Sequence, residues 1–184
     1  MLDEVRRLAA EPSDICEHLV ALYELGRGTR TIVELGVREG RSTVALLAAA
    51  IDGGGRLFSY DLDHHCPAYF AATAARVGLL DRSRWVFEVR DSAQASALWA
   101  DGSVDLLFID TSHALDSTRN ELAAWRPKMA VGHVICGHDS FHPEYGVRQA
   151  VQEFAARHGY ALELRDYCNG LFVLQTGGSQ VPHF

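Results

Sequence analysis

The sequence predicts an α/β protein with a doubly wound, mostly parallel sheet of seven strands and an antiparallel last strand. Short apolar segments alternate with alanine- and leucine-rich segments of helical length from residue 31 to residue 158, which is typical of parallel strands joined by right-handed crossovers. The segment VDLLFI at 104–109 is apolar almost throughout, as a strand buried on both faces requires. Two further strand-like segments joined by a short turn indicate a closing hairpin, and this predicts one antiparallel edge strand.

Two short helices are predicted before the first strand, over residues 2–10 and 14–26. Ser13 or Asp14 is placed to cap the second helix. One face of this helix should be buried, because apolar residues recur at helical spacing: Ile15, Leu19, Leu22 and Leu25. This front section could cover the mouth of a ligand site or form a partner surface.

The alternating region is predicted element by element. Strands are expected over residues 31–36, 57–61, 85–90, 104–109, 130–137, 160–166 and 170–176. Helices are expected over residues 41–51, 67–77, 93–100, 115–125 and 146–158, and glycines follow several of them, where a chain commonly leaves a helix. The chain is therefore interpreted as one domain, with an N-terminal helical section (1–28), an α/β core (29–176) and a loose tail (177–184).

Composition excludes several classes of function. The length of 184 residues favours one domain with one core, and the formal net charge of −7 argues against general binding of nucleic acid. No apolar run approaches the roughly 18 residues that cross a bilayer, and the charged N-terminus lacks an apolar signal segment. The four cysteines lie far apart without a Cys-x-x-Cys pair. We therefore expect a cytoplasmic protein with reduced thiols and with no nucleic-acid or membrane partner.

The segment Thr31–Ser42, TIVELGVREGRS, combines an apolar strand, a glycine turn and the start of a helix at Arg41 or Ser42. Gly36 and Gly40 allow the backbone to approach a bound molecule, and the helix start offers unpaired N–H groups. The spacing differs from the Gly-x-Gly-x-x-Gly pattern of dinucleotide-binding turns. An acid at Glu34 and this wider turn suit a ligand that carries an ammonium group and no phosphate.

Polar residues follow five predicted parallel strands at their carboxyl ends, where open α/β sheets bind ligands. This concurrence is the strongest indication of a site in the sequence. An acid at the end of the second strand, Asp61, could accept both hydroxyls of a ribose, although a nicotinamide dinucleotide would need the same contact. The residues at the other strand ends are Glu34 with Gly36 and Gly40, Asp91 with Ser92, Asp110 with His113, and His138 with Asp139 and Ser140.

The pattern Glu34-x-Gly36-x-x-x-Gly40-x-Ser42 resembles the first motif of class I S-adenosylmethionine-dependent methyltransferases. It is closest to the small-molecule O-methyltransferases of the macrocin and catechol types (methyltransferase domain 24-like), and the resemblance covers about residues 29–176. It implies the Rossmann-like fold of these methyltransferases and places Asp91 and Ser92 at the adenine edge. The full set of cofactor-binding residues that it implies is Glu34, Gly36, Gly40, Ser42, Asp61, Asp91, Ser92 and Asp110.

The segments DLLFIDTSH and HVICGHDS carry the second part of this resemblance. The related enzymes place a metal-binding Asp at the end of the fourth strand, a His three residues later and an acidic pair at the end of the fifth strand. The resemblance thus implies a divalent metal, Mg²⁺ or Mn²⁺, held by Asp110, His138 and Asp139. The metal would lower the pKa of an acceptor hydroxyl, and His113 would act as the general base.

The chain departs from the catechol type at the end of the fifth strand, where His138-Asp139-Ser140 replaces an Asp-Asn pair. An imidazole beside carboxylates shifts the metal preference from Mg²⁺ towards Mn²⁺, Fe²⁺, Ni²⁺ or Zn²⁺. His113 could instead be a histidine at a helix start that only bonds Asp110. The pair His64-His65 is interpreted as part of a surface loop just beyond Asp61.

These observations predict methyl transfer from S-adenosylmethionine to a hydroxyl of a small molecule such as a sugar, a phenol or a secondary metabolite. The N-terminal helices, the loop 140–146 or a second subunit of a homodimer would complete the acceptor site. Two alternatives stay open. One is an NAD- or nucleotide-binding oxidoreductase that uses Asp61 for the ribose, and the other is a non-catalytic S-adenosylmethionine-binding protein.

Overall fold

The computed structural model describes residues 1–176, so the predicted loose tail lies outside the described residues. The strands are β1 (Thr31–Leu35), β2 (Arg56–Asp61), β3 (Trp85–Val89), β4 (Val104–Ile109), β5 (Met129–His138), β6 (Tyr160–Arg165) and β7 (Leu171–Thr176). The α-helices are α1 (Leu2–Ala9), α2 (Leu19–Gly26), α3 (Arg41–Gly53), α4 (Cys66–Val77), α5 (Ser92–Ala95), α6 (Leu115–Trp125) and α7 (Val147–His158). Short 3₁₀ turns cover Cys16–His18, Ser96–Leu98 and Arg126–Lys128.

The strands form one sheet in the order β3-β2-β1-β4-β5-β7-β6. The pairs among β1 to β5 are parallel, and β7 pairs antiparallel with both β5 and β6. The predicted fold class is therefore confirmed, including the antiparallel last strand. The expectation that this strand forms the edge was wrong. The chain crosses from β5 to the outer position of β6, and the hairpin returns β7 into the gap between them.

Burial explains this arrangement of the hairpin. The apolar strand β7, LFVLQT, has five buried residues in succession, whereas β6, YALELR, is partly exposed along its whole length. An inner strand must be apolar on both faces, while an edge strand tolerates polar residues. The turn between them places Cys168, Asn169 and Gly170 at positive φ, which matches the predicted hairpin turn at 167–169.

Helices cover both faces of the sheet and create two apolar cores. Successive residues of β4 divide between them, with Leu106 and Phe108 in one core and Leu107 and Ile109 in the other. The first core includes residues of α1 to α4, and the second includes residues of α6 and α7. This double coverage explains why the segment at 104–109 is apolar almost throughout. In the part of the chain described here, no helix is long and apolar enough to cross a membrane.

The N-terminal section differs in detail from its prediction. The second expected helix is divided into the 3₁₀ turn Cys16–His18 and α2, and no side chain caps α2. Asp14 instead bonds Arg38, with 2.9 Å between Oδ2 and Nη2. The section therefore contacts the glycine turn of the core. The predicted buried face is confirmed at Ile15, Leu19, Leu22 and Leu25.

Candidate active site

A cavity of about 850 Å³ opens at the carboxyl ends of β1 to β4. Five of the predicted cofactor-binding residues line it, and they come from four different strand ends: Gly36, Asp61, Asp91, Ser92 and Asp110. Further lining residues include Leu62, Thr111, Ser117, Asn120 and Glu121. The parallel sheet therefore brings these distant segments together in the way that the strand-end argument predicts.

The glycine turn adopts a backbone that only glycine accommodates at two points. Gly36 has φ of +87°, and a Cβ at this position would collide with the carbonyl oxygen of Asp110. Gly40 has φ of +74° and lies against Phe70 of α4, where a Cβ would come within 2.7 Å of the Phe70 Cβ. Gly36 therefore lines the cavity, whereas Gly40 shapes the turn by allowing α4 to pack closely.

Asp61 holds the turn from the end of β2. Its Oδ2 accepts hydrogen bonds from the backbone N–H groups of Val37 at 2.7 Å and Arg38 at 3.2 Å, and its Oδ1 accepts one from Asp63 at 2.9 Å. Burial raises the pKa of Asp61, but these donors outweigh burial and lower it. The carboxylate is therefore ionised at neutral pH, and its remaining lone pairs can accept from a ligand hydroxyl.

Glu34 does not reach the cavity. Its side chain is fully buried behind the turn and accepts hydrogen bonds from Ser42 at 2.7 Å, Thr43 at 2.9 Å and Ser59 at 2.6 Å. Burial raises the pKa of Glu34 to about 7, although the three hydroxyl donors lower it. The structure thus joins Glu34 and Ser42 in a buried network that ties α3 to β1 and β2. Glu34 is thereby directed away from the cavity, whereas Ser42 lines a small neighbouring recess together with Asp110.

Asp91 and Ser92 start α5 at the cavity wall. Asp91 is the N-cap of this helix, since its Oδ1 accepts from the N–H of Gln94 at 2.9 Å. Ser92 donates a hydrogen bond from its Oγ to Glu121. Both the capping role and the expected cavity position are therefore present, and one does not exclude the other.

Glu121 is a cavity residue that the sequence did not reveal. Its side chain on α6 is buried, and it accepts from Ser92 and, at 3.0 Å, from Thr111. Burial raises its pKa. Glu121 follows no strand and lies inside an ordinary amphipathic helix, so no signal in the sequence separates it from a surface acid.

A second group of polar side chains adjoins the cavity through Asp110. His113 Nε2 lies 3.0 Å from Asp110 Oδ1 and 3.0 Å from Asp139 Oδ2. His113 and Asp139 both have positive φ, of 59° and 60°, which is uncommon outside glycine and often marks a functional position. The predicted convergence of the ends of β4 and β5 is thus present, and we call Asp110, His113 and Asp139 the acid–histidine cluster.

His138 contacts this cluster from β5. Its Nε2 lies 2.6 Å from the carbonyl oxygen of Cys168, and its Nδ1 lies 3.4 Å from Asp139 Oδ2 and 3.8 Å from Asp110 Oδ1. A carbonyl can only accept, so Nε2 donates its proton. In the neutral ring, Nδ1 therefore presents a lone pair to the cluster. Metal-binding histidines commonly donate their second N–H to such a carbonyl.

Charge complementarity holds the cluster together. Burial lowers the pKa of His113, but hydrogen bonds to Asp110 and Asp139 outweigh burial and raise it to about 9. Burial also lowers the pKa of His138, and the nearby carboxylates raise it overall. For Asp139, burial raises the pKa, but its bonds to both histidines hold it well below its ordinary range. In this arrangement His113 is protonated at neutral pH.

The donor set of the cluster fits a divalent cation. One ligand atom each from Asp110, His113 and Asp139 can lie within 4.8 Å of the others. Asp139 Oδ1 is buried and has no hydrogen-bond partner among residues 1–176, so a further electropositive contact would satisfy it. The imidazole in this group is that of His113, whereas the sequence suggested His138 as the metal-binding histidine. Two carboxylates and an imidazole suit Mn²⁺ or Mg²⁺, with nitrogen favouring the former. A second possible group, Asp63 with His64 and His65, is exposed.

Two segments outside the sheet contact residues of the cluster or share a recess with them. Asp14 and Ile15 of the N-terminal section share a small recess with Arg38 and Asp110. In the loop 140–146, Tyr145 stacks on His113, with 4.6 Å between ring centroids. Of the three ways in which an acceptor site could be completed, the N-terminal section and the loop 140–146 are thus both present in a single chain.

Comparison with known proteins gives one family and a common fold. Residues 33–140, more than half of the chain, match the family described as "Methyltransferase domain". No curated protein matches the chain.

Several solved structures share the fold at low sequence identity. A Corynebacterium glutamicum protein has a TM-score of 0.73 at 17% identity, with 97% of this chain and 90% of that chain covered. An O-methyltransferase from Bacillus cereus, solved with S-adenosylhomocysteine, has a TM-score of 0.66 at 17% identity, covering 95% and 90%. The TDP-rhamnose 3′-O-methyltransferase of calicheamicin biosynthesis has a TM-score of 0.67 at 20% identity, covering 88% and 78%.

Proposed function

We propose that this chain, which belongs to the methyltransferase domain family, transfers a methyl group from S-adenosylmethionine to a hydroxyl oxygen of a small molecule. The observation that carries this proposal is the position of Asp110. This residue lines the 850 Å³ cavity, and its carboxylate belongs to the acid–histidine cluster. A methyl donor in the cavity and a methyl acceptor at the cluster would therefore both lie next to Asp110.

The cavity would hold S-adenosylmethionine, which supplies the methyl group. Asp61 would accept from the ribose hydroxyls, Asp91 and Ser92 would meet the adenine edge, and Gly36 would let the backbone approach the amino-acid end. Glu34, Gly40 and Ser42 would act indirectly by holding the turn in shape. The Bacillus cereus protein, solved with S-adenosylhomocysteine, supports this assignment by analogy of fold.

The acid–histidine cluster would bind the acceptor and remove its proton. Asp110 and Asp139, with His138 Nδ1, would hold a divalent metal, which when bound lowers the pKa of the acceptor hydroxyl. A dication bound to the same carboxylates would repel the proton on His113 and lower the pKa of its ring. The neutral ring would then take the hydroxyl proton at Nε2. This assignment corresponds to the macrocin and catechol type of O-methyltransferase, with a sugar, a phenol or a secondary metabolite as the acceptor.

The setting of the reaction is also a proposal. We expect the chain to act as one domain in the cytoplasm, on a small molecule, without a nucleic-acid or membrane partner. The homodimer stays a prediction. Within one chain, the N-terminal section shares a recess with Asp110, and Tyr145 stacks on His113.

A second candidate is a non-catalytic S-adenosylmethionine-binding protein. It is favoured by one observation, namely that His113 Nε2 already bridges the carboxylates of Asp110 and Asp139. Such a protein would bind the cofactor and fail to turn over any acceptor. An NAD-dependent oxidoreductase has weaker support, because the turn lacks the dinucleotide pattern and the cluster would have no role.

The experiment that tests the proposal is calorimetric titration of the full chain with S-adenosylhomocysteine, with NAD as the control ligand and with Mg²⁺ or Mn²⁺ present or absent. We expect micromolar binding of S-adenosylhomocysteine and none of NAD. Absence of binding under all these conditions would contradict the proposal. Turnover of S-adenosylmethionine with a panel of catechols, phenols and nucleotide sugars then separates the enzyme from the non-catalytic binder.

A further inference from the structure

Two of the four cysteines lie side by side although they are 152 positions apart in the chain. Cys16 belongs to the 3₁₀ turn of the N-terminal section, and Cys168 lies in the turn of the β6–β7 hairpin. Their sulfur atoms are 3.9 Å apart. Both thiols also face one acceptor, the carbonyl oxygen of Ser13, at 3.2 Å from Cys16 and 3.8 Å from Cys168. The fold therefore holds two thiol groups in one place.

Accessibility separates this pair from the other two cysteines. Cys16 and Cys168 are partly exposed, whereas Cys66 and Cys136 are buried. A small oxidant can therefore reach the pair and not the buried thiols. A disulfide needs about 2.05 Å between its sulfur atoms, so each sulfur has to move by only about 1 Å from its present position.

We propose that Cys16 and Cys168 form a reversible intramolecular disulfide under oxidising conditions. The oxidant can be a low-molecular-weight disulfide such as oxidised glutathione. One cysteine thiolate attacks a glutathione sulfur, the glutathione S–S bond breaks, and the first glutathione leaves as a thiolate. The second cysteine thiolate then attacks the mixed disulfide and displaces the second glutathione. The two cysteine protons end on the two glutathione thiols, and the two electrons reduce the glutathione disulfide.

The hairpin turn that carries Cys168 also supports His138, which in turn contacts the acid–histidine cluster. The carbonyl oxygen of Cys168 accepts from His138, and the carbonyl oxygen of Tyr167 lies 2.8 Å from His18 Nε2 in the N-terminal section. A covalent bond between Cys16 and Cys168 would tie the N-terminal section to this turn at the edge of the candidate site. The disulfide is detected by thiol labelling alone. The outcome of its test therefore does not depend on the proposed function.

The test is equilibration of the full chain in glutathione redox buffers, followed by acid quenching, maleimide labelling and mass spectrometry. We expect two of the four thiols to be lost as the buffer becomes oxidising, without attached glutathione and without a cross-linked dimer. Tryptic mapping should yield one linked pair of peptides containing residues 16 and 168. Dithiothreitol should restore all the thiols.

Cysteine-to-serine variants show which two residues form the disulfide. Cys16→Ser and Cys168→Ser should each abolish the internal disulfide, whereas the matched variant Cys66→Ser should still lose two thiols. Retention of all four thiols in oxidising buffer would overturn the proposal. So would glutathione that stays attached as the end product, or a linked pair that contains Cys66 or Cys136. Mapping of the unmodified chain needs no variant and decides the question even if a substitution impairs folding.

Discussion

His113 Nε2 lies 3.0 Å from Asp139 Oδ2, although the two residues follow different strands and both have left-handed backbone conformations. Neither conformation is favourable for a side chain larger than glycine. The contact persists because the parallel order of β4 and β5 brings their carboxyl ends together. The unfavourable backbone conformations and the charged side chains thus occur together in the acid–histidine cluster, to which we assign proton removal from the acceptor.

Asp139→Asn should weaken metal binding. The substitution removes one of the two carboxylates that we propose to hold the metal while keeping the size of the side chain, so we expect a loss of Mn²⁺ affinity of roughly 10-fold or more. Electron paramagnetic resonance titration of free Mn²⁺ measures this directly. The control is Asp63→Asn in the exposed Asp63–His64–His65 group, which should leave the affinity unchanged. Equal loss in both variants, or loss only in the control, would place the metal elsewhere.

Asp61→Asn should weaken the binding of S-adenosylhomocysteine. The carboxylate supports the turn through the N–H groups of Val37 and Arg38 and lines the cavity. An amide keeps one acceptor oxygen but loses the charge-assisted bonds, which are worth roughly 1.5–3 kcal/mol each. We expect a rise in Kd of about 10- to 100-fold. The surface variant Asp81→Asn should bind as the wild type does, and an unchanged Kd for Asp61→Asn would remove Asp61 from the cofactor site.

Gly36→Ala should destabilise the fold more than a matched glycine substitution. Both Gly36 and Gly102 have positive φ, but a Cβ at Gly36 would meet the Asp110 carbonyl, whereas a Cβ at Gly102 would meet nothing within 4 Å. The shared conformational cost is about 1 kcal/mol. The additional clash at Gly36 should raise the loss to about 3 kcal/mol or more. Urea unfolding of both variants measures the difference, and equal losses would show that the close approach is unimportant.

The free energy of unfolding should depend on pH because of the raised pKa of Glu34. Burial raises its pKa in the folded chain to about 7, above the ordinary value of 4.5. The folded state therefore binds this proton more tightly than the unfolded state. The resulting stabilisation is fully present below about pH 4.5 and is lost as the pH rises through 7.

Glu34→Gln removes this dependence, because an amide does not titrate. Between pH 5 and pH 8 the free energy of unfolding of the wild type should fall relative to that of the variant by on the order of 2 kcal/mol. Urea unfolding at both pH values gives the comparison. Glu39→Gln, whose side chain is 65% exposed, serves as the control and should track the wild type. Parallel profiles for wild type and Glu34→Gln would mean that Glu34 is ionised throughout.

The sequence predicted the fold class well because its signals are local. Helical and apolar segments alternate clearly, and the glycines at the ends of α3, α4 and α7 mark the boundaries. The position of β7 was mispredicted, because nothing local distinguishes an antiparallel strand at the edge from one inserted beside β5. The unused cap at Ser13 and Asp14 has a similar cause, since the contact with Arg38 is distant in sequence.

The candidate site was predictable where residues follow strands and less so elsewhere. Asp61, Asp91 and Asp110 reach the cavity because parallel strand ends share one edge. Glu34 lies one residue before the end of β1, and its side chain points under α3 to three hydroxyl groups. A strand-end argument does not specify this direction. Glu121 was missed because it reaches the cavity from a helix.

The insertion of β7 between β5 and β6 has a consequence for biosynthesis. A ribosome delivers β5 long before residues 171–176, so the nascent chain carries β5 with one edge unpaired until β7 emerges. His138 likewise gains its carbonyl partner only when the turn at Cys168 has formed. Exposed strand edges invite pairing with other chains. A truncated product that ends before β7 would thus lack both the completed sheet and the support for His138, and it would be a substrate for chaperones and proteases.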